Sequence, residues 1–218
     1  MSGKLIVIEG LDGSGKSTQL GLLQKRINQE VRFVKFPDYD SDSSALVKMY
    51  LGGEFGDKPG DVNAYAASAF YAVDRFASFK TDWGKDYLNG ATILCDRYAT
   101  SNAVHQAAKL ADGERDAYLD WLYDFEFEKL GIPKPDAVIF LDMPIDVSQK
   151  LMTSRYEGDE CKKDIHERDT AYLEHCREAA LYAANRLGWS VVMCAENGQP
   201  KTREAISDEV YSIVSRIM

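Results

Sequence analysis

Cysteine, histidine and basic residues are scarce in this chain, and each scarcity excludes something. Four cysteines (Cys95, Cys161, Cys176, Cys194) stand in 218 residues without a C-x-x-C pair, and the three histidines lack zinc-ligand spacing. That excludes a disulfide framework or a zinc fold and predicts reduced thiols, with Cys95 and Cys194 in the core because both lie in strand-like runs. No apolar run approaches the length of a membrane span, and no long apolar stretch of signal-peptide type opens the sequence. The first motif starts at residue 10, so no cleaved leader is expected. A cytoplasmic location with no membrane partner is the expectation. Lysine and arginine total 26 against 35 acidic residues, a net charge of −9 that argues against a nucleic-acid partner. Phosphate binding stays open, because it needs only local donors.

What the chain does have is apolar residues in short, regularly spaced runs. With 45% hydrophobic content, 218 residues bury one substantial core, so one domain over residues 1–218 is expected. Strand-like runs recur at 5–9, 31–36, 91–95, 137–141 and 190–194, with helix-length stretches between them. This alternation predicts an α/β fold, a doubly wound five-stranded parallel sheet with helices on both faces. Gly52-Gly53, Lys58-Pro59-Gly60 and Pro133-Lys134-Pro135 read as turns rather than as a linker.

Gly10-Leu11-Asp12-Gly13-Ser14-Gly15-Lys16-Ser17 is a complete G-x-x-x-x-G-K-S phosphate loop. It follows the apolar run Leu5-Ile6-Val7-Ile8 and precedes a helix-forming stretch from Thr18, the context the motif requires. Its glycines let successive N–H groups curl round a phosphate at the positive end of a helix. Lys16 reaches the β- and γ-phosphates, and the Ser17 hydroxyl ligates Mg²⁺. Binding of a nucleoside triphosphate follows.

Three other segments carry chemistry. On the helix expected over 61–80, Val62, Tyr65, Ala66, Ala69, Val73 and Phe76 form one apolar stripe, which suits either the core or a subunit seam. Tyr71 and Arg75 fall together nearly opposite, an aromatic and a guanidinium one turn apart that suit a planar ligand or, equally, plain solvent exposure. Asp96-Arg97 ends the run 91–95, so both side chains should emerge at the carboxyl edge of the sheet beside the phosphate loop. There Asp96 holds Mg²⁺ through water and Arg97 clamps a phosphate bidentately, or the two form a strand-terminal ion pair. The charged segment 154–169 is either a solvated connection or a lid over phosphates.

In order and spacing, the motifs resemble the thymidylate kinases over nearly the whole length. They are Glu9–Thr18; Phe36-Pro37-Asp38-Tyr39; Tyr71-Ala72-Val73-Asp74-Arg75; Asp96-Arg97-Tyr98-Ala99-Thr100-Ser101-Asn102; Leu130–Asp136; and Asp164-Ile165-His166-Glu167-Arg168-Asp169. The resemblance implies a P-loop NTPase fold with an acceptor-binding helical region about 40–110 and a lid about 154–169. It implies transfer of the γ-phosphoryl of ATP to dTMP, with Mg²⁺, in dTTP synthesis, by a homodimer whose seam is the apolar stripe.

On the family pattern, Gly10, Asp12, Gly13, Ser14, Gly15, Lys16, Ser17 and Thr18 take the donor. Phe36 and Pro37 wall the nucleoside pocket, Tyr71 stacks on thymine, and Arg75 and Asn102 bind the base. Asp12, Tyr39, Arg97, Ser101 and His166 complete the acceptor site, and Ser17 and Asp96 hold the metal. Lys16, Arg97, Arg155 and Asp12 are the expected catalytic set. Because position 13 is Gly13, the loop lacks the side-chain cation of some members. The lid must then supply it, Arg155 first, with Lys162, Lys163 and Arg168 as helpers and Gly13→Arg as a possible rescue. His105 and His166 stand where relatives carry aromatics. A regulatory GTP-binding switch shares the phosphate loop but reads guanine through Asn-Lys-x-Asp, which this sequence lacks.

Overall fold

Apolar side chains on both faces of the central strands build the sheet. The computed structural model describes residues 2–155 and 170–218, of 153–155 the backbone alone. β1 (Lys4–Gly10) buries Leu5 and Val7 on one face and Ile6 and Ile8 on the other, the alternation a strand imposes. It lies between β3 (Thr92–Asp96) and β4 (Ala137–Asp142), with β2 (Val31–Lys35) and β5 (Ser190–Met193) outside them. The order is β2-β3-β1-β4-β5 and all four pairings are parallel. The five strands match the five predicted runs to within a residue or so at each end.

Helices cover both faces. α1 (Lys16–Arg26) and α9 (Arg203–Val214) bring Leu20, Leu23, Val210 and Val214 against Ile6, Ile8 and Ile139. α5 (Thr100–His105) and α8 (Thr170–Leu187) pack with Leu5, Val7, Cys95 and Phe140 on the opposite face. Between these lie α2 (Ala45–Leu51), α3 (Ala64–Ser78), α4 (Gly84–Leu88), α6 (Arg115–Tyr123) and α7 (Ile145–Arg155). Cys95, Cys176 and Cys194 are buried free thiols, as the composition predicted for two of them, and Cys161 lies outside the described residues.

The helix expected over 61–80 starts at Ala64, because the Asn63 side chain caps it by accepting from the Ala66 N–H at 2.9 Å. It runs on beyond its predicted end through a π-helical turn, Phe79–Trp83, into α4. Its apolar stripe lies largely outside the core: Tyr65 is 42% and Val73 50% exposed, Val62 and Ala69 are half-buried, and Phe76 packs against the core's edge. The opposite face, with Ala67, Ser68, Ala72 and Arg75, is the buried one.

A feature absent from the prediction is the hairpin of β6 (Ala195–Glu196) and β7 (Gln199–Pro200). It turns at Asn197-Gly198, both with positive φ (50° and 71°), the residues a primed two-residue turn demands. Its arms are too short to show alternation. Among the described residues no helix is long and apolar enough to cross a membrane.

Candidate active site

β1 and β3 are neighbours whose following connections run to opposite sides, so a crevice opens at their carboxyl ends. The phosphate loop leaves β1 there and the Asp96-Arg97 turn leaves β3. Gly15 caps α1 with φ 91° and ψ 14°, and no side chain occupies the helix N-terminus. No acidic residue stands in its first turn, so the helix presents its positive end to an anion. Gly13 also has a positive φ of 78°, and a Cβ there would lie 2.9 Å from the Ser148 carbonyl oxygen and 3.0 Å from Met152 Cγ. Position 13 therefore does not admit the arginine imagined as a rescue.

Lys16 Nζ donates to the carbonyl oxygens of Gly10 (2.9 Å) and Leu11 (3.1 Å), which aims the buried ammonium along the loop. Burial, reinforced by the Arg97 charge, lowers its pKa to about 8 against the pull of Asp12, Asp96 and Glu9. Arg97 sits at φ 66°, in the left-handed region that costs a non-glycine residue about 1–3 kcal/mol and marks functional turns. Its Nη2 donates to Asp12 Oδ1 at 2.6 Å and its Nη1 meets His105 Nε2 at 3.1 Å. Burial raises the Asp12 pKa, but Arg97, Lys16 and His105 outweigh it and hold the carboxylate well below its usual range. Glu9, fully buried, is pushed up by burial against Arg97 and the Thr100 and Ser101 hydroxyls. Its Oε1 accepts from Thr100 Oγ1 (2.6 Å), Ser101 Oγ (2.9 Å) and the Tyr98 N–H (3.2 Å), pinning the start of α5 to β1.

These residues open into a cleft of about 870 Å³. At one end are Asp12 through Gln19, with Pro200, Lys201 and Arg203 of the hairpin region beyond. At the other are Phe36, Pro37, Tyr39, Tyr71, Arg75, Ser101, Asn102 and His105. Asp96 and Arg97 lie between. Asp96 Oδ1 is buried with no hydrogen-bond partner among the described residues, and Ser17 lines the cleft with its side chain exposed. Two hard oxygen donors beside a phosphate loop fit Mg²⁺, which keeps waters and phosphate oxygens as its other ligands.

A phosphate loop in a cleft is common to many nucleotide-binding proteins. The family model described as thymidylate kinase matches residues 8–206. Thymidylate kinase of Mycobacterium tuberculosis is 32% identical over 186 residues, covering 82% of this chain and 84% of its own. The chain belongs to the thymidylate kinase family. Thymidylate kinase of Schizosaccharomyces pombe is 29% identical over 185 residues, covering 82% and 81% of the two chains. A solved structure of thymidylate kinase from Candida albicans superposes with a TM-score of 0.72 at 23% identity, covering 99% of this chain and 92% of that one, a likeness of fold.

Set against the thymidylate kinase pattern, every expected site residue that is described with its side chain lines the cleft except Gly10. Gly10 instead accepts Lys16 through its carbonyl and packs on Ser14, whose Oγ would lie 2.4 Å from a Cβ at position 10. Ser101 lines the cleft, but its hydroxyl is held by both Glu9 oxygens at 2.9 Å. Arg75 is not the solvated residue that the helix pattern left open: it is 1% exposed and ion-paired with Glu126. Arg155 ends α7, and its side chain, with Lys162, Lys163, His166 and Arg168, lies outside the described residues, as do residues 156–169 of the lid expected over about 154–169.

Four residues that shape this thymidylate kinase cleft escaped the site prediction. Glu9 and Glu126 are buried carboxylates behind its wall, and His105, noted but given no role, touches Arg97. Asp74 accepts from the Asp38 N–H (2.9 Å) and Ser43 Oγ (2.6 Å), tying the loop after Pro37 to α3. An acidic residue in an apolar helix was the available signal for Asp74, since such a residue stays exposed unless paired, whereas Glu126 stands among other charged residues and carried no such signal.

Proposed function

We propose that this chain transfers the γ-phosphoryl group of ATP to dTMP, giving ADP and dTDP in dTTP synthesis. The observation that carries the reading is one continuous cleft lined both by the phosphate loop and by Phe36, Pro37, Tyr71, Arg75 and Asn102. Arg97 stands between them, fixed by Asp12 and His105. The attacking oxygen of a nucleoside monophosphate is already anionic, so no general base is required. Catalysis is then positioning and charge neutralisation.

Lys16 follows the transferring phosphoryl, and the N-terminus of α1 holds the donor phosphates. Arg97 presents a planar fork to the acceptor phosphate, held in place by Asp12. Ser17, and Asp96 through water, hold Mg²⁺, which neutralises charge on the phosphate oxygens when bound. Phe36, Pro37 and Tyr71 wall the nucleoside, and Arg75 and Asn102 face the base. Tyr39 lies at the rim, 45% exposed. Arg155 remains the first choice for a lid cation on sequence grounds.

The whole chain 1–218 acts on this reading as one domain, cytoplasmic and with no nucleic-acid or membrane partner. The exposed stripe of Tyr65 and Val73, with half-buried Val62, Ala69 and Phe76 beside them, supports a homodimer seam on α3. An ADP-release assay over dTMP, dUMP, dCMP, dGMP and AMP tests the function. The reading expects dTMP to give the highest kcat/KM, and preference for a purine monophosphate would overturn it.

A further inference from the structure

Glu126 does not line the cleft, yet both side chains assigned to the base end on its carboxylate. It is 0% exposed, in the π-helical turn Asp124–Lys129 that follows α6. Arg75 Nε donates to Oε2 at 2.8 Å, and Arg75 Nη2 donates to Oε1. Asn102 Nδ2 donates to the same Oε1 at 3.2 Å.

A carboxylate accepts and does not donate. The second neighbour of the Asn102 amide is also an acceptor, the Ser68 carbonyl oxygen at 3.4 Å. Both therefore require the NH₂ of Asn102, and its Oδ1 is what remains for the cleft. Among the described residues nothing donates to that oxygen. Arg75 is held the same way: Nε and Nη2 on Glu126, and Nη1 on the Tyr98 carbonyl oxygen at 3.4 Å. The N–H groups left on Nη1 and Nη2 are donors. The wall thus offers a donor from Arg75 beside an acceptor from Asn102.

We propose that Glu126 is the positioning residue that sets the hydrogen-bond polarity of the base end. By accepting from Arg75 and Asn102 together, it builds a donor–acceptor pair complementary to the O4 carbonyl and N3–H of thymine or uracil. The same pair opposes the 4-amino group and unprotonated N3 of cytosine. The inference rests on the dTMP reading above and gives it a physical basis for choice among pyrimidines.

Glu126→Gln tests it, because glutamine keeps the shape but places an NH₂ donor where an acceptor stood. At least one of the three donors that Glu126 satisfied, Arg75 Nε, Arg75 Nη2 or Asn102 Nδ2, then faces that NH₂ and loses its acceptor, so the donor–acceptor pair is no longer fixed. The dTMP/dCMP ratio of kcat/KM should fall by about tenfold or more, through a higher KM for dTMP rather than a lower kcat. Losses shared by both substrates, with the ratio within about twofold of wild type, would make Glu126 a purely structural residue and overturn the inference. Should the glutamine variant fail to fold by circular dichroism, Glu126→Asp serves. Its shorter carboxylate keeps the charge but does not span both partners, so the ratio should fall by roughly threefold or more, and an unchanged ratio overturns the proposal. The wild-type enzyme separates the two claims. If it favours dTMP over dCMP and both variants keep that preference, only the role of Glu126 fails; if it shows no such preference, the function reading fails with it.

Discussion

Lys16 is buried beside a second cation, and that sets an upper pH limit on donor binding. Its pKa of about 8 lies below the ordinary lysine value, so the ammonium is charged at neutral pH and lost as pH rises through about 8. The bound triphosphate needs the charged form. kcat/KM for ATP should therefore decline above about pH 8, and in Lys16→Arg that limb should move beyond the accessible range, since arginine stays protonated. A pH–rate profile with the same limb in both enzymes would remove Lys16 as its source. Lys16→Ala should abolish transfer in a chain that still folds, because nothing else in the loop is cationic. Gly13 supplies a second residue-scale test. A side chain at its φ of 78° costs about 1–2 kcal/mol in backbone strain, which is roughly 2–8 °C in Tm for a domain of this size. Gly13→Ala should show at least that loss by calorimetry, because its Cβ also meets the Ser148 carbonyl oxygen.

At the scale of elements, α3 divides the protein's two kinds of contact between opposite faces. One face turns Tyr71 and Arg75 to the cleft, and the other leaves Tyr65 and Val73 outside the core. The helical spacing made both faces legible, and neither apolar content nor spacing said which was inside. The reason is physical: Arg75 is buried only because Glu126, far off in sequence, meets it, and a long-range ion pair leaves no periodic trace. The three central strands were readable because Leu5–Ile8, Ile93–Cys95 and Val138–Leu141 are buried on both faces and so form unbroken apolar runs. The β6–β7 hairpin was not, despite Asn197-Gly198. If α3 is the seam, Val73→Glu should convert a dimer into a species of 24.4 kDa by light scattering. A wild-type protein already at that mass at micromolar concentration would remove the seam. α7 carries the remaining element-scale claim. Arg155→Ala should lower kcat more than it raises KM for dTMP, the mark of an interaction made in the transition state. A kcat within about twofold, less than ~0.5 kcal/mol of barrier, would hand the role to Lys162, Lys163 or Arg168.

On the scale of the whole molecule, a chain with net charge −9 gathers Lys16, Arg75, Arg97, Lys201 and Arg203 along one cleft. The overall charge says what the surface repels, and the local cations say what the cleft takes. The sheet order makes this possible by bringing the ends of β1 and β3 together, so that the phosphate loop and Arg97 meet across a crevice. The central claim is direct transfer between two nucleotides in that crevice. Its most direct test is to follow ATP labelled in the γ-phosphate with dTMP present and to separate the products by chromatography. The account predicts label in dTDP, with Lys16→Ala leaving it in ATP. Label released as inorganic phosphate at the same rate with or without dTMP would contradict it.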